Sequence, residues 1–171
     1  MKLKVRKLWF RHSIEATVNE LFRISQLREQ FDEGYIYDGE IRPRGLKIFP
    51  GYWSADGILE RLPESQEEVC LVLTSMDLKG DYGRIHGKGF NMRAIASNNS
   101  FINGYGFFNH KGPHFLAMAF GEIGHALGLS HHNHNPQNPC EMSHNYDPRV
   151  DWKSIEEIKF CDDCYSKLQK R

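Results

Sequence analysis

FGEIGHALGLSHH, residues 120 to 132, is the stretch whose reading decides the fold. Glu122, His125, Gly128 and His131 stand at the offsets of the metal-site pattern H-E-x-x-H-x-x-G-x-x-H, and Gly121 stands where that pattern has its first histidine. Upstream, Pro113 suits a first helical position. From His114 to Leu127 the only breakers are Gly121 and Gly124, and apolar residues cover nearly every face, which predicts a buried helix. Gly128 suits the left-handed residue just past its end, turning the chain so that His131 comes back towards the helix. Positions 121 and 125 are one turn apart, so histidines at both would aim at one ion, with position 122 beside them.

In sites of this kind three histidines hold zinc and leave a fourth position to water. A glutamate takes that water's proton, and the resulting nucleophile attacks a peptide carbonyl. Glu122 is the candidate base here, and His125 and His131 are candidate ligands of a catalytic-type zinc. Gly121 supplies no ligand. An E-x-x-H on an apolar helix arises easily by chance, but Gly128 and His131 at matching offsets favour descent from a metal site over coincidence. A four-ligand zinc site contributes about 10 to 16 kcal/mol, or roughly 3 to 4 kcal/mol per ligand, so one lost ligand weakens binding by about two to three powers of ten. A replacement would have to come from elsewhere. His114 is on the same helical face but about 10 Å along the axis, which is too far, and His86, His110 and His144 lie in loops that the sequence does not place.

With 171 residues, 40% of them hydrophobic and 26% charged, the chain is long enough for one ordinary domain with a proper core. Its 22 basic and 22 acidic residues cancel, so there is no electrostatic footprint for nucleic acid or an anionic membrane, and neither is expected as a partner. The start, MKLKVRKLWF, alternates charged and apolar residues, unlike a signal peptide, and no stretch approaches the roughly 20 apolar residues of a membrane span. A soluble cytoplasmic protein is expected.

Before the motif, residues 3 to 10 read as a first strand. Ser13 then offers an N-cap, and Ile14, Val18, Leu21, Phe22 and Leu27 form one apolar stripe, predicting a helix of about four turns. YIY and LKIF are short enough for strands or extended loop. Ser54 can cap a helix through Leu62, with Ile58, Leu59 and Leu62 inward. VCLVLTS, residues 69 to 75, is a continuous apolar run that predicts a central strand buried on both faces. The glycines at 80, 83, 87 and 89 predict a turn-rich loop, and residues 89 to 97 a further strand. Alternating helices and strands argue for a mixed sheet with helices packed on it, an α/β (α+β) fold class. Beyond His131 the chain is rich in Pro and Asn and predicts irregular structure, then a helix over about 151 to 160, with Cys161 and Cys164 in a tight turn and a short helical end.

The second constellation is Cys161-x-x-Cys164 with Cys140 upstream and His132 and His134 before it, a Cys3His set able to hold a structural zinc. Such a site would tie the loop after the motif helix to the tail; the alternative is a group of reduced, unliganded thiols. Cys70, inside VCLVL, reads as a buried small hydrophobe.

Taken in order, G-E-I-G-H-A-L-G-L-S-H, then His132, then Cys140-Glu141-Met142, then Cys161-Asp162-Asp163-Cys164 resembles the archaemetzincins, a branch of the metzincin zinc metallopeptidases. YWSADGILERL and LTSMDL also look similar to that family's earlier segments, so the likeness spans most of the chain. It departs from the family at Gly121 and at His132, which replaces a cysteine; the longer gap to Cys140 leaves His134 open as the fourth ligand. The resemblance implies a single metzincin-like domain, with residues 1 to 128 as its upper part and 129 to 171 as a lower part. It also implies Met142 as the Met-turn under the metal, and FNMRAIAS as the edge strand that an extended peptide or protein segment would pair with. Two functions follow: a zinc protein of the peptidase class whose hydrolytic site is impaired, retaining a structural zinc and peptide binding; or a working peptidase with a third ligand from outside the motif or water. The neutral charge disfavours a zinc-ribbon nucleic-acid binder.

Overall fold

The computed structural model describes residues 1–42, 47–49, 52–81, 83–99, 111–133, 135, 137–143 and 152–170. The chain opens with strand β1 (Lys2–Leu8) and helices α1 (Ile14–Leu21) and α2 (Ser25–Gln30), followed by strands β2 (Tyr35–Glu40), β3 (Lys47–Phe49) and β4 (Tyr52–Ser54). Helix α3 (Ala55–Leu59) leads to β5 (Glu68–Thr74), β6 (Asp77–Gly80), β7 (Gly83–Ile85), β8 (Gly87–Phe90) and β9 (Arg93–Ser97), and then come α4 (Pro113–Ala126) and α5 (Asp162–Gln169). The main sheet has five strands in the order β2-β1-β5-β9-β8, parallel except for β8, which runs antiparallel to β9. A smaller sheet, β3-β4-β6-β7, joins it. The glycines expected to form a loop lie instead in strands, Gly80 in β6 and Gly83 in β7 of this second sheet, and Gly87 and Gly89 in β8 of the main one.

The mixed sheet with packed helices is the expected fold class, and β5 is its centre. Strand side chains alternate between faces. Leu71 and Leu73 pack with Leu3, Val5, Ala94 and Ala96 towards α1 and α4. Cys70 and Val72 pack with Leu8, Ile95 and Trp53 towards Ile58 and Leu59 of α3. Both faces of β5 are covered, as its apolar run requires. Ser13 caps α1, its side chain accepting from the Ala16 N–H, and Ser54 caps α3 in the same way from Gly57. The four-turn helix expected after Ser13 is instead two helices. Ile24 takes an extended conformation between them (φ −67°, ψ 113°), and the bend lets Ile24, Leu27 and Phe31 all enter the core. No breaker residue marks that bend in the sequence.

Residues 89 to 97, read as one strand, form a hairpin. Asn91 and Met92 both have positive φ (46° and 63°), the two-residue turn whose twist suits antiparallel strands. The edge of the sheet is therefore β8 and not the whole of FNMRAIAS; β9 is interior, between β5 and β8. β8 lies directly on α4, since a Cβ at Gly89 would fall 2.0 Å from the Glu122 carbonyl oxygen. Only glycine allows that approach.

The helix expected over 151 to 160 is a single 3-10 turn at Ile155–Glu157. Its neighbours are taken by tertiary hydrogen bonds: Phe160 N–H donates to the Gln26 side chain (2.7 Å), and the Lys159 carbonyl accepts from Glu141 N–H (3.0 Å). The cysteine pair is not in a tight turn but at the start of α5, with Cys161 as N-cap and Cys164 in the first turn.

Candidate metal centres

Helix α4 begins with Pro113 at its first turn and is buried along almost its whole length. It ends at Gly128 (φ 82°), where Gly128 N–H donates to the His125 carbonyl and Leu129 N–H to the Gly124 carbonyl, both 2.9 Å. This paired closure reverses the chain. As a result His131 returns to the helix and its Nε2 stands 3.1 Å from His125 Nε2, with the rings nearly perpendicular.

Each imidazole is oriented from behind. His125 Nδ1–H donates to the Leu129 carbonyl at 3.0 Å, and His131 Nδ1–H to the Met142 carbonyl at 3.3 Å. Both Nε2 lone pairs then face each other, an arrangement that suits a shared cation. Burial, aided by nearby His131, pulls the His125 pKa down, which keeps the ring neutral and ligating. Met142 sits beneath the helix: a Cβ at Gly124 would be 3.0 Å from its Sδ and 2.8 Å from Phe160 Cζ, so Gly124 makes room for both.

The three-histidine zinc set does not fit these residues. Gly121 offers no ligand, and the three heavy atoms nearest to a Cβ built there all belong to Glu141, at 3.1 Å (Cγ), 3.4 Å (Oε1) and 3.8 Å (Cδ). Among the described residues, His125 and His131 belong to no group of three or more histidine, cysteine or carboxylate ligand atoms placed to hold a metal ion. His86 is half-buried between β7 and β8 and His114 is in the first turn of α4, while His110 and His144 lie outside the described residues.

Glu122 packs under β8, with its Cγ 2.6 Å from where a Gly87 Cβ would be. Burial, with a smaller push from Glu141 and an opposing pull from Lys88, raises its carboxyl to about 8. Glu141 is buried, with Trp152 Nε1–H donating to its Oε2 at 2.9 Å, and burial raises it to about 8 against that hydrogen bond. Both carboxyls are thus mostly protonated at neutral pH. Neither Glu141 nor Trp152 stands out in the sequence as a site residue; the one local signal is a charged residue between Cys140 and Met142.

The second cluster is complete in donors. His132, Cys140, Cys161 and Cys164 bring one ligand atom each to within 4.8 Å of one another, with the three cysteines buried. His132 Nδ1–H donates to the Asn133 carbonyl (2.8 Å), which leaves Nε2 facing Cys161 Sγ at 3.5 Å. The loop is set by His132 N–H donating to the Met142 carbonyl (3.0 Å) and Ser143 N–H to the Cys140 carbonyl (3.1 Å). Burial and the crowding of neighbouring thiols raise the Cys140 and Cys164 pKa values, the penalty that a dication at the centre reverses. One imidazole and three thiols brought this close could together hold a zinc ion. His134 lies outside the described residues. Cys70 is remote, buried among apolar side chains with its thiol raised to about 11.

No family model matches the chain, and no curated protein matches it. Among solved structures it is similar to archaemetzincin from Archaeoglobus fulgidus, determined with malonate, at 23% identity and a TM-score of 0.68 over 98% of this chain and 99% of that one. It is similar to archaemetzincin from Methanopyrus kandleri at 20% identity and a TM-score of 0.71, over 99% and 94% of the two chains. A zinc-dependent peptidase from Methanocorpusculum labreanum matches at 20% identity and a TM-score of 0.63, over 96% and 99%. The chain therefore has the archaemetzincin fold over nearly its whole length. No helix among the described residues is long and apolar enough to cross a membrane.

Proposed function

We propose that this chain is a zinc-binding protein of the metallopeptidase class that binds extended peptide and whose peptide-hydrolysing centre is impaired. The observation that carries this reading is at position 121, where the motif's first ligand is absent and a buried glutamate side chain fills the space, while His125 and His131 keep their ligand orientation. Glu122 is the residue in the place of the general base. Its carboxyl is pushed up by burial, with Glu141 adding to the shift and Lys88 opposing it.

A structural zinc on His132, Cys140, Cys161 and Cys164 ties the loop after α4 to α5 within the lower part, residues 129 to 171, of a single domain. Zinc there supplies cross-linking only, and its three thiolate ligands accord with a reducing, cytoplasmic compartment. The peptide partner is proposed from the fold, since one neighbour is described as a zinc-dependent peptidase. Strand β8, which among the described residues is an edge strand of the main sheet and lies beside Glu122, is where main-chain pairing with an extended segment would occur. No nucleic-acid or membrane partner is proposed.

The test is hydrolysis of unstructured peptides by zinc-loaded protein, with the Glu122→Gln variant as control. Equal, background-level rates are expected. Turnover that Glu122→Gln abolishes would establish a working peptidase and overturn the proposal.

A further inference from the structure

We infer that Glu141, anchored by Trp152, has taken over the space of the missing ligand, so that positions 121 and 141 act as a coupled pair and restoring the histidine alone cannot rebuild the metal centre. This rests on the reading of an impaired site and says what keeps it closed. The loss of a ligand and the filling of its place are separate obstacles, and the structure contains both.

The physical case starts from the close approach. In mid-helix a glycine costs about 1 kcal/mol relative to alanine, so Gly121 is explained only by something that needs the room. That something is one side chain: Cγ, Oε1 and Cδ of Glu141 are the nearest heavy atoms to a Cβ at 121. A Cβ at 3.1 Å from Cγ is already tight, so Glu141 must give way before even the first carbon of a histidine side chain fits at 121.

Glu141 cannot readily swing aside. Its backbone N–H donates to the Lys159 carbonyl at 3.0 Å, and its Oε2 accepts from Trp152 Nε1 at 2.9 Å, a bond buried on both sides. Moving the carboxyl away leaves the indole N–H unsatisfied in the interior, which is unfavourable. Met142, next in the chain, is fixed under Gly124, so the backbone has little freedom to carry Glu141 out. Among the described residues, Glu141 does not form a group of three or more close ligand atoms with His125 and His131.

Zinc content tests this, measured by elemental analysis on folded, chelator-free preparations of four proteins: the unaltered chain, Gly121→His, Gly121→His/Glu141→Gln and Gly121→His/Glu141→Ala. Glutamine keeps the bulk and the Trp152 contact; alanine opens the space. The expected result is the same zinc count for the first three and a gain of one zinc per chain in the last. That gain should disappear on adding His125→Ala. A second ion in Gly121→His or in the glutamine double variant would overturn the inference, as would no gain in a folded alanine double variant. It would also be overturned by an unaltered chain that carries a second zinc lost on Glu141→Ala, since Glu141 would then be a ligand. If the alanine double variant does not fold, Gly121→His decides: no added ion supports the block, and an added ion refutes it. A wrong structural-zinc assignment would lower the count in all four proteins equally, so the increment still reads the coupled pair.

Discussion

Replacing Cys164 with serine tests the zinc knot at its most enclosed ligand. The Cys164 thiol is buried in the first turn of α5, and its sulfur is within 4.8 Å of the other three donors, so serine removes a thiolate without removing side-chain bulk. A structural zinc contributes about 10 to 16 kcal/mol over four ligands. An even share is roughly 3 to 4 kcal/mol, which is about two to three powers of ten in affinity. The loss should be local in its effects. Residues 129 to 133 and 161 to 169 are joined by this cluster at the far end of the main core, which also holds Leu129, Cys164 and Leu168. Competition against a chromophoric chelator should show the weaker zinc binding, and hydrogen exchange should accelerate in α5 and the loop after α4 while β5 stays protected. Cys70→Ser, remote from the cluster, is the control and should leave zinc binding as it was. Unchanged affinity in Cys164→Ser would refute the ligand assignment.

Gly89→Ala should cost about 3 kcal/mol or more in denaturant unfolding, because its Cβ would fall 2.0 Å from the Glu122 carbonyl oxygen and neither backbone can yield; a neutral or stabilising result would contradict the packing of β8 on α4. Glu141, raised to about 8 when folded against about 4.3 in an unfolded chain, is a group whose stabilising proton is fully present below pH 4 or so and lost as pH rises through 8. Stability should therefore fall between pH 5 and about 8 by up to a few kcal/mol, and Glu141→Gln should flatten that slope; parallel profiles in the two proteins would rule Glu141 out as its source. The Cys70 thiol, raised to about 11 by burial, should resist alkylation at pH 8 even after chelation, whereas Cys140, Cys161 and Cys164, which are buried too, should react only as loss of zinc opens α5 and the loop after α4; peptide mass mapping reads both.

What was legible in the sequence followed from local chemistry. The apolar run of β5 had to be a central strand, Ser13 and Ser54 had oxygens placed to cap, and Gly128 was the one residue suited to close α4 and return His131 to it. Cys140, Cys161 and Cys164 were legible by spacing as a candidate donor group, with the fourth donor open between His132 and His134; the fold brings His132 to them, and His134 lies outside the described residues. The misreadings came where tertiary contacts override local preference. Ile24 bends the first helix because the core takes it, and Asn91 with Met92 adopts a turn conformation that methionine rarely visits. The segment 158 to 160 is drawn into extended structure by Gln26 and Glu141. Glu141 itself was hidden because its role exists only through Gly121, twenty positions away in sequence and adjacent in space.

The central claim, an intact zinc knot beside a metal site closed at one ligand, is tested most directly by metal stoichiometry on protein purified without chelator. The expected value is one zinc per chain, unaffected by changing His125 and His131 to alanine and lost on changing Cys140 with Cys161. Two zinc ions per chain, one of them dependent on His125 and His131, would contradict it.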